Sequence, residues 1–269
     1  MILPVLIILL YLLAIAPRMA GRPDFEPLFS KGIYYAHRGL HDNRSQAPEN
    51  SMAAFQKAVE AGYGIELDVQ LTRDRIAVVF HDETLSRVCG VEGKVRDYTY
   101  EQLRSFYLCG TQERIPLFAD VLALVDGQVP LIIELKAYEN PETVCRLADQ
   151  LISAYQGPYC IESFHPFAVR WYRKHRPQVI RGQLASNFNR PERREPVHEA
   201  MVHHLLTNFL SRPDFIAYDH QYEGNLSRRL CCRLFRALAV TWTIKSPQQL
   251  EKVKDKFRLF IFEGFRPEA

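Results

Sequence analysis

The stretch "GIELDVQLT" (residues 64–72) carries the pattern that decides both the fold and the site. Alternate residues of a β-strand point to opposite faces, so its aliphatic residues share one face while Glu66 and Asp68 share the other. The two carboxylates then lie about 7 Å apart. Because such a pair repels unless its charge is compensated, the stretch predicts a strand that packs on one face and holds charge on the other.

The same alternation recurs in "PLIIELK" (residues 130–136), and two other apolar runs end in a histidine, in "YYAHRG" (residues 34–39) and "VVFHDE" (residues 78–83). Titratable residues therefore fall near the ends of several predicted strands: His37, Glu66, Asp68, His81, Glu134 and Lys136. Barrel enzymes build their sites at strand ends, so we expect these side chains to meet.

Strand-like and helix-like segments alternate along the chain, which is typical of βα units. Predicted helices such as 50–62, 141–155 and 246–257 each carry one apolar stripe. We therefore predict an α/β fold, a (β/α)8 TIM barrel with an N-terminal hydrophobic helix. The strand candidates, one more than such a barrel needs, are 33–37, 64–69, 76–81, 130–135, 158–163, 179–184, 214–218, 238–243 and 258–262. The weakest is "DFIAYD" (214–219).

An apolar run without a charged side chain, "ILPVLIILLYLLAIAP", occupies residues 2–17. As a helix it would be roughly 24 Å long, a little under the usual spanning length of about 20 residues. We predict a membrane-anchor helix over residues 1–20, followed by a barrel domain over residues 31–269. Arg18 and Arg22 follow the run, which predicts a cytoplasmic barrel domain by the positive-inside rule. The alternative is a helix buried across the domain.

Composition excludes one class of partner. The chain has 34 basic and 31 acidic residues among 269, a net charge of +3, which is too balanced for a nucleic-acid binder. Its six cysteines form no Cys-x-x-Cys pair, which predicts free thiols and argues against a zinc site. A cluster of carboxylates without a thiolate instead predicts one divalent metal ion, Ca²⁺ or Mg²⁺.

Seven short motifs follow one another from about residue 33 to residue 245: "AHRG", "PENS", "ELDVQLT", "VVFHDETLSR", "IELK", "SF" and "VTWTI". Their order and spacing resemble those of the glycerophosphodiester phosphodiesterase family. The resemblance implies a (β/α)8 barrel and metal-dependent cleavage of glycerophosphodiesters to glycerol phosphate and an alcohol. The implied substrates are small molecules of lipid metabolism, either deacylated phospholipids or lysophospholipids.

The resemblance also implies roles for individual residues. It implies metal binding by Glu66, Asp68 and Glu134, and acid–base catalysis by His37 and His81. It implies contacts with the substrate by Arg38, Lys136 and Trp242. Glu49 in "PENS" matches a family acid, to which we assign a supporting role behind the site, because this motif is also a plausible helix start.

Two segments depart from the family's pattern. The chain ends "RLFIFEGFRPEA", with Glu263 and Gly264 where the family has a Thr-Asp pair. Residues 186–235 also differ and contain a basic amphipathic stretch whose arginines are Arg228, Arg229, Arg233 and Arg236. This stretch either covers the substrate entrance or forms a solvated outer helix.

Two other functions fit the same residues. The first is a catalytically inactive barrel that binds phospholipid head groups, against which the intact histidines and carboxylates argue. The second is a related lysophospholipase D-type phosphodiesterase, which only substrate profiling separates from the leading interpretation.

Overall fold

A nine-stranded sheet organises the chain. The computed structural model describes residues 2–29, 34–138, 140–187 and 196–268. The strands are β1 (Tyr35–His37), β2 (Gly64–Leu71), β3 (Ala77–Val79), β4 (Leu131–Leu135), β5 (Tyr159–Ser163), β6 (Arg181–Ala185), β7 (Phe215–Asp219), β8 (Leu238–Ile244) and β9 (Leu259–Phe262).

Eight of these strands close into a parallel barrel. Their order is β1-β9-β8-β7-β6-β5-β4-β2, and β1 also pairs with β2. β3 instead pairs antiparallel with β2, because residues 72–76 between them are too few for the crossover that parallel strands need. The predicted barrel is confirmed. The surplus strand candidate is 76–81, whereas the weak candidate at 214–219 forms β7.

Helices connect the strands and cover the barrel. They are α1 (Ile2–Ile15), α2 (Glu26–Phe29), α3 (Met52–Glu60), α4 (Ser86–Cys89), α5 (Tyr100–Leu103), α6 (Phe118–Val125), α7 (Pro141–Ile152), α8 (Pro166–His175), α9 (Val197–His203), α10 (Asn208–Ser211), α11 (Leu226–Arg233) and α12 (Pro247–Val253). Side-chain caps fix two predicted starts, since Ser51 accepts a hydrogen bond from the Ala54 N–H and Ser246 accepts one from the Gln249 N–H.

Each barrel strand separates an outer core from an inner one. Ile65, Leu67 and Val69 of β2 are fully buried in the outer core, between the sheet and the helices. Ile132 of β4 and Cys160 of β5 lie in the inner core. Because inward positions recur every two residues, the next inward residues toward the C-terminal ends of these strands are Glu134 and Glu162.

The N-terminal apolar run forms α1, which is shorter than predicted. Its 14 residues span about 21 Å, against a bilayer hydrocarbon core of about 30 Å. Among the described residues, no helix combines the length and the apolar character that crossing a membrane requires. The prediction of a membrane-anchor helix over residues 1–20 is therefore wrong, and the membrane localisation derived from it is wrong as well.

The C-terminal part of α1 packs on the barrel domain. Ile15 is fully buried, and its carbonyl oxygen accepts hydrogen bonds from Asn208 Nδ2 at 2.8 Å and from the Cys231 thiol at 3.1 Å. The hydroxyls of Tyr11 and Ser227 share a hydrogen bond of 2.8 Å. The alternative of a helix buried across the domain therefore fits only the C-terminal end of α1, because the residues of its first two turns are exposed.

The basic stretch lies at the end of the barrel opposite the predicted site. Arg229, Arg233 and Arg236 are exposed. They line a groove with Leu238, which begins β8, and Arg258, which precedes β9. Since parallel strands all begin at one end, these arginines do not cover the strand ends where the site lies. The alternative of a solvated outer helix fits these three arginines. Residues 188–195 of the divergent segment fall outside the described residues.

All six cysteines are free thiols, so the prediction of free thiols is confirmed. Cys145, Cys160 and Cys231 are buried in the two cores. Burial raises the pKa of each of these thiols, which keeps them protonated and unreactive.

Candidate active site

The strand register brings the predicted acidic residues to one end of the barrel. Asp68 of β2 is paired with Glu134 of β4, and His37 of β1 is paired with Glu66 of β2. Carboxylate oxygens of Glu66, Asp68 and Glu134 lie within 4.8 Å of one another, and all three residues are buried. We call these three residues the acidic triad.

Two cations border the acidic triad. Lys136 Nζ lies 3.0 Å from Asp68 Oδ1 and 2.8 Å from Glu134 Oε2. Arg38 Nε lies 3.7 Å from Asp68 Oδ2, and the Arg38 backbone N–H donates to Glu66 Oε2 at 3.1 Å. Both cations are largely buried, so their charges act on the triad with little screening by solvent.

These cations leave the charge of the acidic triad incompletely balanced. Burial, followed by the negative charge of Asp68, raises the pKa of Glu66 well above its usual value. Burial also raises the pKa of Glu134, and Lys136 offsets this only in part. Burial disfavours ionisation of Asp68 too, but the charges of Lys136, His81 and Arg38 outweigh it and lower the pKa of that carboxyl. Burial of the triad therefore opposes ionisation of Glu66 and Glu134, and further positive charge would favour it.

The donor set fits a divalent metal ion. The triad offers three buried carboxylates, and oxygen ligands of this kind suit Ca²⁺ and Mg²⁺. A dication would favour the ionised forms of Glu66 and Glu134 and would offset the cost of burying them. The predicted metal site is therefore present as a buried acidic triad that can hold a metal ion.

His37 is the last residue of β1 and faces the acidic triad. Its Nδ1 lies 2.6 Å from Glu263 Oε2, and its Nε2 lies 3.9 Å from Glu66 Oε2. Since an ionised carboxylate only accepts, Nδ1 carries the proton and Nε2 presents its lone pair toward the triad. Burial, then the charge of Arg38, lowers the pKa of His37 to about 4 despite the Glu263 hydrogen bond. Lys245 Nζ lies 2.6 Å from the other oxygen of Glu263 and holds that carboxylate in place.

His81 lines the same cavity from the loop after β3. Its Nδ1 lies 2.6 Å from Asp82 Oδ1. Arg87 donates to both oxygens of Asp82, at 2.6 and 3.0 Å, and to both oxygens of Glu49, at 2.7 Å each. Glu49 also accepts from Arg38 Nη1 at 2.6 Å. Glu49 and Arg87 therefore connect the arginine beside the triad to the carboxylate that holds His81.

This network should make the free energy of unfolding fall at acid pH. Burial opposes ionisation of Glu49, but the hydrogen bonds and charge of Arg87 and Arg38 lower its pKa from 4.5 to about 2. The stabilisation is thus present above about pH 4.5 and is lost as the pH falls toward 2. We expect Arg87→Met to lower the free energy of unfolding at pH 7 by about 1–2 kcal/mol, and by less at pH 3, where part of this stabilisation is already lost, in chemical denaturation of metal-free protein.

The matched control is Arg44→Met. Arg44 is 92% exposed and lies 3.5 Å from its carboxylate partner, so its removal should change the free energy of unfolding little at either pH. An equal loss for Arg87→Met at pH 7 and at pH 3 would contradict the role given to the Glu49 carboxylate.

The turn after β1 explains why "HRG" ends this strand. Arg38 and Gly39 both have positive φ, 56° and 80°. A Cβ at position 39 would lie 2.9 Å from the backbone carbonyl carbon of Ala54, at the start of α3. The turn therefore needs glycine at this position, and it holds Arg38 beside the triad.

A cavity of about 380 Å³ opens over these groups. His37, His81, Arg38 and Trp242 all line it. The Trp242 ring meets Phe164 edge to face, with centroids 5.6 Å apart. The remaining predicted residues either line the cavity, as Glu49, Glu66 and Glu134 do, or bond to its lining, as Asp68 and Lys136 do. The structure thus brings all the predicted site residues together, and their individual roles stay predictions.

The family comparison agrees with the motifs. The sequence profile of the "Glycerophosphoryl diester phosphodiesterase family" matches residues 37–225, well over half of the chain. The chain belongs to this family. The family predicted from the motifs is therefore confirmed, and so is the prediction of an enzyme family of phosphodiesterases.

Curated relatives carry the same family name. The chain is 36% identical to a glycerophosphodiester phosphodiesterase of Bacillus altitudinis over 157 residues, which cover 54% of this chain and 63% of that protein. It is 34% identical to one of Caldanaerobacter subterraneus over 166 residues, which cover 57% of this chain and 67% of the relative. The chain thus matches about two thirds of the length of these relatives.

Solved structures share the fold. An Oleispira antarctica phosphodiesterase, determined in complex with the product sn-glycerol-3-phosphate, superposes with a TM-score of 0.67 at 21% identity. The superposition covers 86% of this chain and 92% of the other. The barrel is therefore the fold of solved phosphodiesterases.

Sequence reasoning missed several residues of the site. It noted Glu263 only as a departure, yet Glu263 follows β9 directly and bonds to His37. It did not consider Glu162, although this residue lies two positions after the inward Cys160 in "CIESF". Position at a strand end and the period of two were signals for both. Arg87 lies in "HDETLSR", and no local sequence pattern there indicated that it would bind Glu49.

Proposed function

We propose that the chain is a metal-dependent phosphodiesterase of lipid metabolism. It would hydrolyse glycerophosphodiesters to a glycerol phosphate and an alcohol, or lysophospholipids to an acylated glycerol phosphate and an alcohol. One observation carries this proposal: His37 and His81, each held by a carboxylate, line one cavity beside a buried acidic triad. Family membership supports the reaction class. The sn-glycerol-3-phosphate in the Oleispira phosphodiesterase is a product of the kind that this reaction releases.

The acidic triad would hold the metal ion, for which Ca²⁺ and Mg²⁺ are the candidates. When bound, the ion supplies polarisation of a non-bridging phosphate oxygen. Lys136 and Arg38 border the triad and add fixed positive charge where negative charge builds during the reaction. Glu49 holds Arg38 through a 2.6 Å hydrogen bond and so keeps its guanidinium in place.

The two histidines divide the proton transfers. His37 holds its own proton on Nδ1 against Glu263, and its Nε2 is free to take a proton from the attacking hydroxyl or water. His81 Nδ1 is held by Asp82, which leaves the His81 Nε2 to give a proton to the departing alkoxide. The lowered pKa of His37 agrees with its role as the general base, because it is unprotonated at neutral pH. Trp242 forms part of the wall against which the substrate packs.

Phosphorus NMR of the products tests this proposal. The protein is incubated with glycerophosphocholine, glycerophosphoglycerol and lysophosphatidylcholine, with Ca²⁺ or Mg²⁺ present. We expect glycerol phosphate from the first two substrates. Release of phosphocholine instead would place the cleavage on the wrong ester bond and contradict the proposal. Binding without turnover would indicate the inactive head-group-binding barrel, and turnover of lysophosphatidylcholine alone would indicate the lysophospholipase D-type activity.

Glu263 should contribute to turnover through His37. Replacing Glu263 with Gln keeps the size of the side chain but removes the charge that orients the Nδ1–H of His37. We expect kcat for glycerophosphocholine to fall about 10- to 100-fold with little change in KM. Steady-state kinetics measure both constants.

Lys245→Met provides the comparison for Glu263→Gln. Lys245 contacts Glu263 but is 63% exposed, so its loss should lower kcat by a smaller factor. An unchanged kcat in Glu263→Gln, or a change confined to KM, would show that Glu263 does not orient the imidazole for proton transfer.

A further inference from the structure

Glu162 is a buried carboxylate in the catalytic cavity that the reaction described above does not use. It lines the cavity from β5, is 1% exposed, and its Oε2 has no hydrogen-bond partner within the described part of the chain. A buried carboxyl oxygen without a partner is costly, and native structures rarely keep one without a reason. The cavity therefore contains a polar group that is suited to a ligand.

Glu162 is a neighbour of the acidic triad but not a member of it. It pairs in register with Glu134, but the oxygens that lie within 4.8 Å of one another belong to Glu66, Asp68 and Glu134 alone among the described residues. Lys136 Nζ lies within 3.0 Å of Asp68 and Glu134, and its charge also acts on Glu162 through space. Glu162 thus lies beside the metal site but is not one of the three residues whose oxygens form it.

Apolar side chains form part of the cavity that Glu162 lines. Phe164 lies two residues further along the same face and meets Trp242 edge to face, and Leu184 and Ile261 line the same cavity. The Trp242 Nε1–H is a second buried polar group without a partner in the described residues. This part of the cavity therefore offers apolar contacts together with one carboxyl group and one N–H donor.

That combination matches a short polyol. Its carbon atoms pack against apolar side chains, while its hydroxyls both donate and accept and so satisfy a carboxyl group and an indole N–H. We propose that Glu162 binds the terminal hydroxyl of the glycerol group and so determines the specificity for glycerol esters. The inference rests on the proposed function, since it assigns the glycerol group of that substrate to this wall of the cavity.

A cationic head group is the other ligand that a carboxylate and aromatic rings can bind. The observations favour the hydroxyl, because the buried Trp242 Nε1–H has no partner in the described residues and needs an acceptor, which an ammonium group lacks. A bound hydroxyl and a bound cationic group predict different changes in kcat/KM when the substrate is varied.

The experiment compares two phosphocholine esters that differ in one hydroxyl. Glycerophosphocholine has the terminal hydroxyl, whereas the phosphocholine ester of propane-1,2-diol lacks only that group and keeps the neighbouring hydroxyl. We expect the parent protein to prefer the glycerol ester in kcat/KM by about 10- to 100-fold. In Glu162→Ala this preference should shrink to within about threefold.

Two further variants separate hydroxyl binding by Glu162 from a role in folding. Glu162→Gln retains a side chain that can bond a hydroxyl and should keep part of the preference, even if Glu162→Ala folds poorly. Ser163→Ala alters the next residue on β5, whose hydroxyl bonds the Leu135 carbonyl oxygen, and should keep the full preference. If Glu162→Ala and Glu162→Gln lower kcat/KM equally for both esters, the carboxyl group serves the metal site or folding and the inference is wrong.

A substrate with an uncharged head group provides the last comparison. With glycerophosphoglycerol, which has no cation, Glu162→Ala should lower kcat/KM by about the same factor as with glycerophosphocholine. A loss confined to glycerophosphocholine would assign Glu162 to the ammonium group and overturn the inference. If the parent protein hydrolyses none of these esters, the proposed function itself fails, which is distinct from a parent that is active but has no hydroxyl preference.

Discussion

Replacing Glu66 with Gln should lower the turnover of glycerophosphocholine by about 10³-fold or more while the barrel stays folded. The amide keeps the shape of the side chain but removes one of three buried carboxylates that would hold the metal ion. Since burial and Asp68 raise the pKa of Glu66, the metal-free variant should be at least as stable as the metal-free parent. Steady-state kinetics and thermal unfolding with and without Ca²⁺ measure both effects.

The unfolding data separate a metal ligand from a structural residue. Ca²⁺ should raise the Tm of the parent, because it binds only the folded state, and should raise that of Glu66→Gln much less. Glu251→Gln, which changes a 69% exposed acid outside the cavity, should behave as the parent in both measurements. Full turnover in Glu66→Gln, or an equal rise in its Tm, would contradict metal binding by the triad.

Replacing either His37 or His81 with Ala should lower kcat by about 10²-fold or more. Each imidazole has one nitrogen held by a carboxylate and the other available to the cavity, so each variant removes one of the two proton transfers. The parent should show a bell-shaped pH profile, because one histidine must be unprotonated and the other protonated. Measurement of kcat from pH 3 to 9 tests both statements, because the lowered pKa of His37, about 4, lies within this range.

His175→Ala is the matched control for these variants. His175 ends α8 on the outside of the barrel and stacks on Trp171, so its removal should leave kcat unchanged. A silent His81→Ala would assign His81 to packing. If a variant retains only one limb of the pH profile, the histidine that it lacks controls the missing limb.

The period of two in the barrel strands made most of the site predictable. In β2 and β4 the inward residues near the C-terminal ends are charged, so a sequence alternation was enough to place Glu66, Asp68 and Glu134 on one surface. The direction of β3 was not readable from its apolar pattern. It depended on the short connection of residues 72–76, which permits only a hairpin.

Long-range contacts account for what sequence reasoning could not predict. The apolar run at the N-terminus gave no sign that its helix would end at Ile15, where Asn208 and Cys231, far along the chain, donate to its carbonyl oxygen. The pairing of Glu263 with His37 likewise joins the two ends of the barrel sequence across the β1–β9 contact. A local pattern shows which face a residue occupies, but not which partner meets it there.

A metal ion held by the acidic triad should be needed for cleavage of a glycerophosphodiester. The most direct test measures the turnover of glycerophosphocholine by protein stripped with a chelator, before and after Ca²⁺ or Mg²⁺ is added back. We predict turnover at least about 10³-fold below the parent rate in the stripped protein, with recovery on addition of one of the two ions. Full turnover by the metal-stripped protein would contradict the account.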